Sequence, residues 1–176
     1  METKSYKEYL HDITTFIFDV DGVLTDGTIT ITTEGEMLRT MHTKDGYAIK
    51  TALNAGFKVC IISGGTNEGV RVRLRALGVT DIYLGAHHKV EQLDEYMDIY
   101  NIKREQALYM GDDIPDFHVM QMVGLACCPQ DAVPEIKAIS HYISHKEGGK
   151  GCVRDIIEQV LKVQGKWQEN FNAQYD

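Results

Sequence analysis

The chain has 176 residues, 43% of them hydrophobic and 25% charged, with a formal net charge of −8. That is about one domain's length with enough apolar content to bury a core. No apolar run approaches the ~20 residues that span a bilayer, and the polar start METKSYKEYLHD lacks the form of a secretory signal. The cytoplasm is therefore the expected compartment, with no membrane partner, and the acidic balance disfavours nucleic acid.

Residues 1–11 read as an N-terminal extension, 12–165 as one domain and 166–176 as a polar tail. The first buried strand is expected over 16–20, where a short aromatic and β-branched run ends in FDVDG. If strand geometry persists to residue 21, Asp19 and Asp21 point the same way. GTITITTEGEMLRTMHT then alternates on both sides of Glu34–Gly35, the pattern of a β-hairpin over 28–42. A helix is expected from Lys44 to about Asn54 with Asp45 as N-cap, followed by a strand at KVCIIS ending in Ser63-Gly64-Gly65.

Further along, a helix from Asn67 to Leu77 stops at Gly78. DIYLG is a short strand, and HKVEQLDEYMDIY is a helix with Val90, Leu93 and Met97 on its apolar side. ALYMGDD repeats the opening design, an apolar strand ending in glycine and carboxylates. A short helix, strands at LACC and HYIS, a helix at 134–139 and a last helix at 153–163 after the EGGKG loop complete the chain. Alternating strands and helices imply a Rossmann-like, doubly wound α/β fold with a mostly parallel sheet. In such sheets ligands bind outside the carboxyl ends of the strands.

The four cysteines include no C-x-x-C pair and read as buried thiols, and the histidines lack ligand spacing. The strand ends carry the chemistry. Carboxylates at Asp19, Asp21, Asp112 and Asp113, gathered along one edge, make a hard-cation site suited to Mg²⁺. Ser63 offers a hydroxyl and Gly64 a close backbone approach for a phosphate, and Lys89 opens its helix with a positive charge. Asp19 could attack phosphorus while Asp21 protonates the leaving alcohol and then deprotonates water. Rival readings of the separate motifs are weaker. Gly22 stands at the wrong position for an EF-hand loop, and GGKG lacks P-loop spacing. The basic cluster RVRLR, Arg71 to Arg75, reads either as a solvated helix face or as a local anion site.

DVDGVLTDG, the Ser63–Gly64 step, Lys89 and GDDIPD together resemble the four motifs of haloacid dehalogenase-like phosphatases. With KDGYAI, IISGG and GGKGCVRD the chain further resembles the 3-deoxy-D-manno-octulosonate 8-phosphate phosphatases over about residues 12–163. The resemblance implies Asp19 as nucleophile and Asp21 as acid/base. It implies Mg²⁺ on the Asp19 carboxylate, the Asp21 carbonyl and Asp112, with Asp113 supporting the metal shell. Ser63 and Lys89 would bind the phosphoryl group and Asp116 would act as a positioning residue. Small members of this family lack an inserted cap domain and form tetramers through their hairpins, so a homotetramer is expected.

The sugar is read less directly. A carboxylate on the substrate would suit Arg71 first, with Lys44 and Arg73 behind. Gly65 leaves space in which a larger charged side chain could contact a longer sugar, so Gly65→Glu is expected to alter substrate preference. The competing functions are the same reaction on a nine-carbon sugar acid 9-phosphate and a noncatalytic oligomerisation module of the same fold.

Overall fold

The computed structural model describes residues 5–168 and 171. Its frame is a six-stranded parallel sheet made of β1 (Thr15–Phe18), β4 (Lys58–Ile62), β5 (Asp81–Tyr83), β6 (Ala107–Met110), β7 (Leu125–Cys128) and β8 (Tyr142–Ile143). The strand order is β5-β4-β1-β6-β7-β8. The chain thus starts in the middle, builds outward through β4 and β5, then returns to the other side of β1 to add β6. Between β1 and β6 the winding reverses, and the loops that follow these two strands diverge and leave a crevice.

Helices cover both faces, so the strands are near-continuous apolar runs. Period-2 alternation sorts their side chains. Phe16, Phe18, Val59, Ile61, Leu108 and Met110 share one core with residues of α2 (Thr43–Asn54), α3 (Glu68–Ala76) and α7 (Cys152–Val163). Ile17, Cys60, Ile62 and Tyr109 face the other core, built with α4 (Lys89–Tyr100), α5 (Phe117–Met120) and α6 (Pro134–Ile139). All four cysteines are buried and free, as expected.

Two expectations need correction. The first strand stops at Phe18, and Val20–Leu24 forms a wide turn in which Gly22 takes φ 85°. Asp19 and Asp21 therefore owe their shared direction to this turn, not to strand alternation. Asp45 does not cap its own helix, a task done by the His42 ring. Its Oδ1 instead accepts the Arg154 N–H at 2.8 Å, satisfying the start of α7 from a distant helix. The N-terminal extension is joined to the body by side-chain contacts. The short helix α1 (Tyr6–Tyr9) packs on the body, Leu10 is buried, and the Tyr6 hydroxyl donates to Gln159 at 3.0 Å.

The hairpin consists of β2 (Thr30–Ile31) and β3 (Met37–Leu38), paired antiparallel. It exposes Ile29, Ile31, Met37 and Leu38. At the other end, the Lys166 and Trp167 N–H groups close the last helix on the Leu161 carbonyl. The Arg154 guanidinium lies over the rings of both Tyr47 and Trp167. The rest of the expected polar tail falls largely outside the described residues.

Candidate active site

Four chain segments meet at the crevice. Asp19 follows β1, its N–H bonded to the Met110 carbonyl of β6. Ser63 follows β4 and is tied to the Tyr83 carbonyl. Lys89 is the first residue of α4. Asp112 and Asp113 follow β6, where Asp113 accepts the Ile114 N–H at 2.8 Å and starts a short 3₁₀ turn. These residues, with Asp21, Gly64, His87 and Asp116, line a cavity of about 450 Å³. Every catalytic and metal residue expected from the sequence thus lies in one place.

The geometry inside is tight. The Lys89 ammonium sits 2.7 Å from Asp19 Oδ2 and 2.7 Å from Asp116 Oδ1. The Val20 N–H donates to Asp19 Oδ1 at 2.6 Å, so the side chain is held at both ends. Asp116 is fully buried. Its Oδ1 also accepts the Tyr109 hydroxyl at 2.8 Å, and its Oδ2 accepts the Asp112 N–H at 3.1 Å. One carboxylate thereby fixes the Lys89 charge and the backbone that carries Asp112. Gly22 permits the close approach of the two acidic loops, because a β-carbon there would collide with the Asp112 carboxylate.

Negative charge is in excess. Burial, reinforced by the neighbouring Asp116, pushes the Asp19 carboxyl up to about 8 against the pull of Lys89. Burial with Asp116 and Asp113 pushes Asp112 up to about 7. Burial alone would lower the Lys89 ammonium, but Asp19 and Asp116 override it and hold the group protonated. Carboxylates so placed call for a further cation. Asp19, Asp112 and Asp116 each bring an oxygen within 4.8 Å of the others. Since Asp116 is spent on Lys89, Tyr109 and the Asp112 N–H, Asp19 and Asp112 are the side chains that fit a metal.

Other expected residues lie elsewhere. Arg71 pairs with Glu68 at 3.1 Å and donates to the Ile82 carbonyl at 3.0 Å, away from the cavity. Lys44 lines a separate basic cavity of about 590 Å³ with His42, Lys146, Lys150 and Arg154. Arg73 borders a third, beside Arg39. The sequence reading missed Arg39, whose guanidinium grips Asp21 with Nε at 2.7 Å from Oδ1 and Nη2 at 3.2 Å from Oδ2. It also missed Tyr109, a lone hydroxyl in an apolar strand, which was the available signal. The space beside Gly65 is bordered by the ends of two side chains. A β-carbon there would lie 3.2 Å from Asp21 Oδ2 and 3.3 Å from Arg39 Nη2, so Gly65→Glu would disturb that pair.

Comparison with known proteins agrees with this geometry. Residues 76–156 match the family model of haloacid dehalogenase-like hydrolases. The 3-deoxy-D-manno-octulosonate 8-phosphate phosphatase KdsC of Salmonella typhi is 37% identical over 158 residues, covering 90% of this chain and 84% of that protein. The crystal structure of the phosphatase of that name from Yersinia pestis superposes with a TM-score of 0.90 at 33% identity, covering 93% of this chain and 88% of the other. The Moraxella catarrhalis structure, in complex with magnesium, phosphate and KDO, superposes with a TM-score of 0.88 at 30% identity, covering 91% and 92%. The chain belongs to the haloacid dehalogenase-like hydrolases, in the family of 3-deoxy-D-manno-octulosonate 8-phosphate phosphatases.

Proposed function

We propose that this protein is a Mg²⁺-dependent phosphomonoesterase that hydrolyses 3-deoxy-D-manno-octulosonate 8-phosphate through an aspartyl-phosphate. The observation that carries the reading is the Asp19–Lys89–Asp116 cluster at the crevice, with Asp112 opposite and Ser63 alongside. Support for the substrate comes from the named relatives and from the KDO, phosphate and magnesium bound by the Moraxella protein.

Asp19 is held by Lys89 and the Val20 N–H at the wall of the cavity, and each of its oxygens keeps a further lone pair. It attacks phosphorus in line, and the bond from phosphorus to the sugar oxygen breaks as the new one forms. Ser63 and Gly64 hold phosphoryl oxygens, and Lys89 neutralises charge as it develops on them. Asp21 gives a proton to the departing sugar oxygen. It then takes one from the water that attacks the phospho-enzyme, which restores Asp19 and releases phosphate. A magnesium ion held by Asp19 and Asp112, with the Asp21 carbonyl, would screen the repulsion between the carboxylate and an anionic phosphate. Asp113 supports the turn beside that site, and Asp116 with Tyr109 keeps Lys89 in place.

The hairpin favours assembly as a homotetramer. Its short edges and exposed Ile29, Ile31, Met37 and Leu38 need covering. Among the described residues no helix is long and apolar enough to cross a membrane, in keeping with a cytoplasmic enzyme supplying the sugar acid of lipopolysaccharide. A noncatalytic module is disfavoured by the complete cluster, because buried paired charges cost stability and serve no packing need.

Phosphate release from a panel of sugar phosphates tests the proposal. Strong preference for the eight-carbon acid, abolished by EDTA, is the expected result. Activity confined to a nine-carbon acid 9-phosphate would move the substrate and keep the chemistry. Absence of metal-dependent release would contradict the enzyme.

A further inference from the structure

We propose that Arg39 is the specificity residue of this site, holding both oxygens of Asp21 until a carboxylate on the substrate takes its guanidinium. The inference rests on the reading above in which Asp21 handles the leaving-group proton.

The pair is bidentate, with contacts of 2.7 and 3.2 Å. It is also built in. The Arg39 side chain is only 9% exposed, against 34% for Asp21, and its Nη1 donates to the Met37 carbonyl at 3.1 Å. Asn67, the cap of α3, donates to that same carbonyl at 2.9 Å, which ties the exit of the hairpin to the helix after the phosphate-binding step. Gly65 completes the fit, since a β-carbon there would crowd both partners.

Such a grip conflicts with the role of Asp21. To give a proton to a leaving sugar oxygen, one carboxyl oxygen must carry it, which costs that oxygen its charge-assisted contact with Arg39. A neutral sugar hydroxyl cannot replace a charge-assisted bidentate contact, whereas another carboxylate can, like for like. A phosphorylated sugar acid would therefore bring its own key. Its phosphate enters at Ser63 and Lys89, its carboxylate draws Arg39, and Asp21 is released to the reacting oxygen. A phosphate ester without a carboxylate leaves the grip closed. Specificity then arises at the turnover step as well as in binding.

The test compares octulosonate 8-phosphate, its C1 amide and a carboxyl-free sugar phosphate such as mannose 6-phosphate. Wild type and Arg39→Gln are assayed with Mg²⁺, and kcat and KM are read separately. Exchange of a charge-assisted contact corresponds to about tenfold to a hundredfold in kcat/KM, so wild type should favour the acid over the amide by that factor. In Arg39→Gln the gap should close to about threefold, with acid turnover falling and kcat on the carboxyl-free ester rising. Equal losses on all substrates would show that Arg39 merely supports the structure and would overturn the proposal. Equal treatment of acid and amide by the wild type would overturn it without any variant. If wild type released phosphate from none of them, the phosphatase reading itself would fall, and this proposal with it.

Discussion

The strand-end cluster and the hairpin lie within reach of each other, yet they are built on opposite principles. Asp19, Lys89, Asp116 and Tyr109 are buried and bonded to one another and to the backbone at 2.6–2.8 Å. The hairpin has two residues in each strand and exposed apolar side chains, and the chain leaving it reaches the crevice through the Arg39–Asp21 pair. The first arrangement suits chemistry common to many phosphate esters, because preorganised charges act without moving. The second suits selection and assembly, because its exposed apolar side chains offer a surface to a partner. The division predicts that changes to the cluster affect all substrates alike, while changes to the hairpin depend on substrate and on association.

The sharpest way to break the comparison after the nucleophile itself is Lys89→Gln. Removing the cation leaves Asp19 and Asp116 buried without a counter-charge, so stability should fall by about 3 kcal/mol. Turnover should drop on the order of a hundredfold on every substrate. Thermal unfolding and kcat on two unrelated phosphate esters would check both, and a substrate-dependent loss would blur the two regions.

Asp45 offers a pH test far from the crevice. Burial pushes its carboxyl up to about 6 despite the backbone N–H groups of Arg154 and Gly151. With the folded value above the unfolded one, the native state binds the extra proton. Stability is therefore lost as pH rises from about 4 to about 6, in total about 3 kcal/mol. Asp45→Asn keeps an acceptor and removes the charge, so its stability relative to wild type should climb across that window. A constant difference from pH 4 to 7 in denaturant titrations would refute the buried-charge account.

Smaller effects are expected at the periphery. Ile31→Asp with Leu38→Asp should change monomer stability by no more than about 0.5 kcal/mol, yet abolish the proposed tetramer in light scattering. Retention of the tetramer would remove the assembly role of the hairpin. Arg71→Ala should alter kcat/KM by less than about twofold, because a partly exposed pair with Glu68 contributes little.

Much of this was legible in the sequence. Each main strand was visible as an apolar run, and Asp19, Ser63, Lys89 and Asp112 were marked by polar residues or glycine where such a run or helix ends. What could not be read were contacts set by packing across the chain. Arg39 meets Asp21 across 18 positions, and Asp45 meets Arg154 across 109. No local pattern distinguishes Arg39 from Arg71 or Arg73, since each is a basic residue in an amphipathic stretch. Only the fold decides which one turns toward the crevice. Asp45 shows the same limit, because its place near a helix start suggested a local cap while tertiary packing gave it to another helix.

The central claim is that Asp19 takes the phosphoryl group. Wild-type protein turning over octulosonate 8-phosphate with Mg²⁺ would be quenched with borohydride, which reduces an acyl phosphate, and the peptide containing residue 19 examined by mass spectrometry. Conversion of Asp19 to homoserine, dependent on substrate and metal and accompanied by a loss of at least about 10⁴-fold in turnover for Asp19→Asn, is the predicted result. An unmodified peptide during turnover, together with phosphate release persisting in Asp19→Asn, would contradict it.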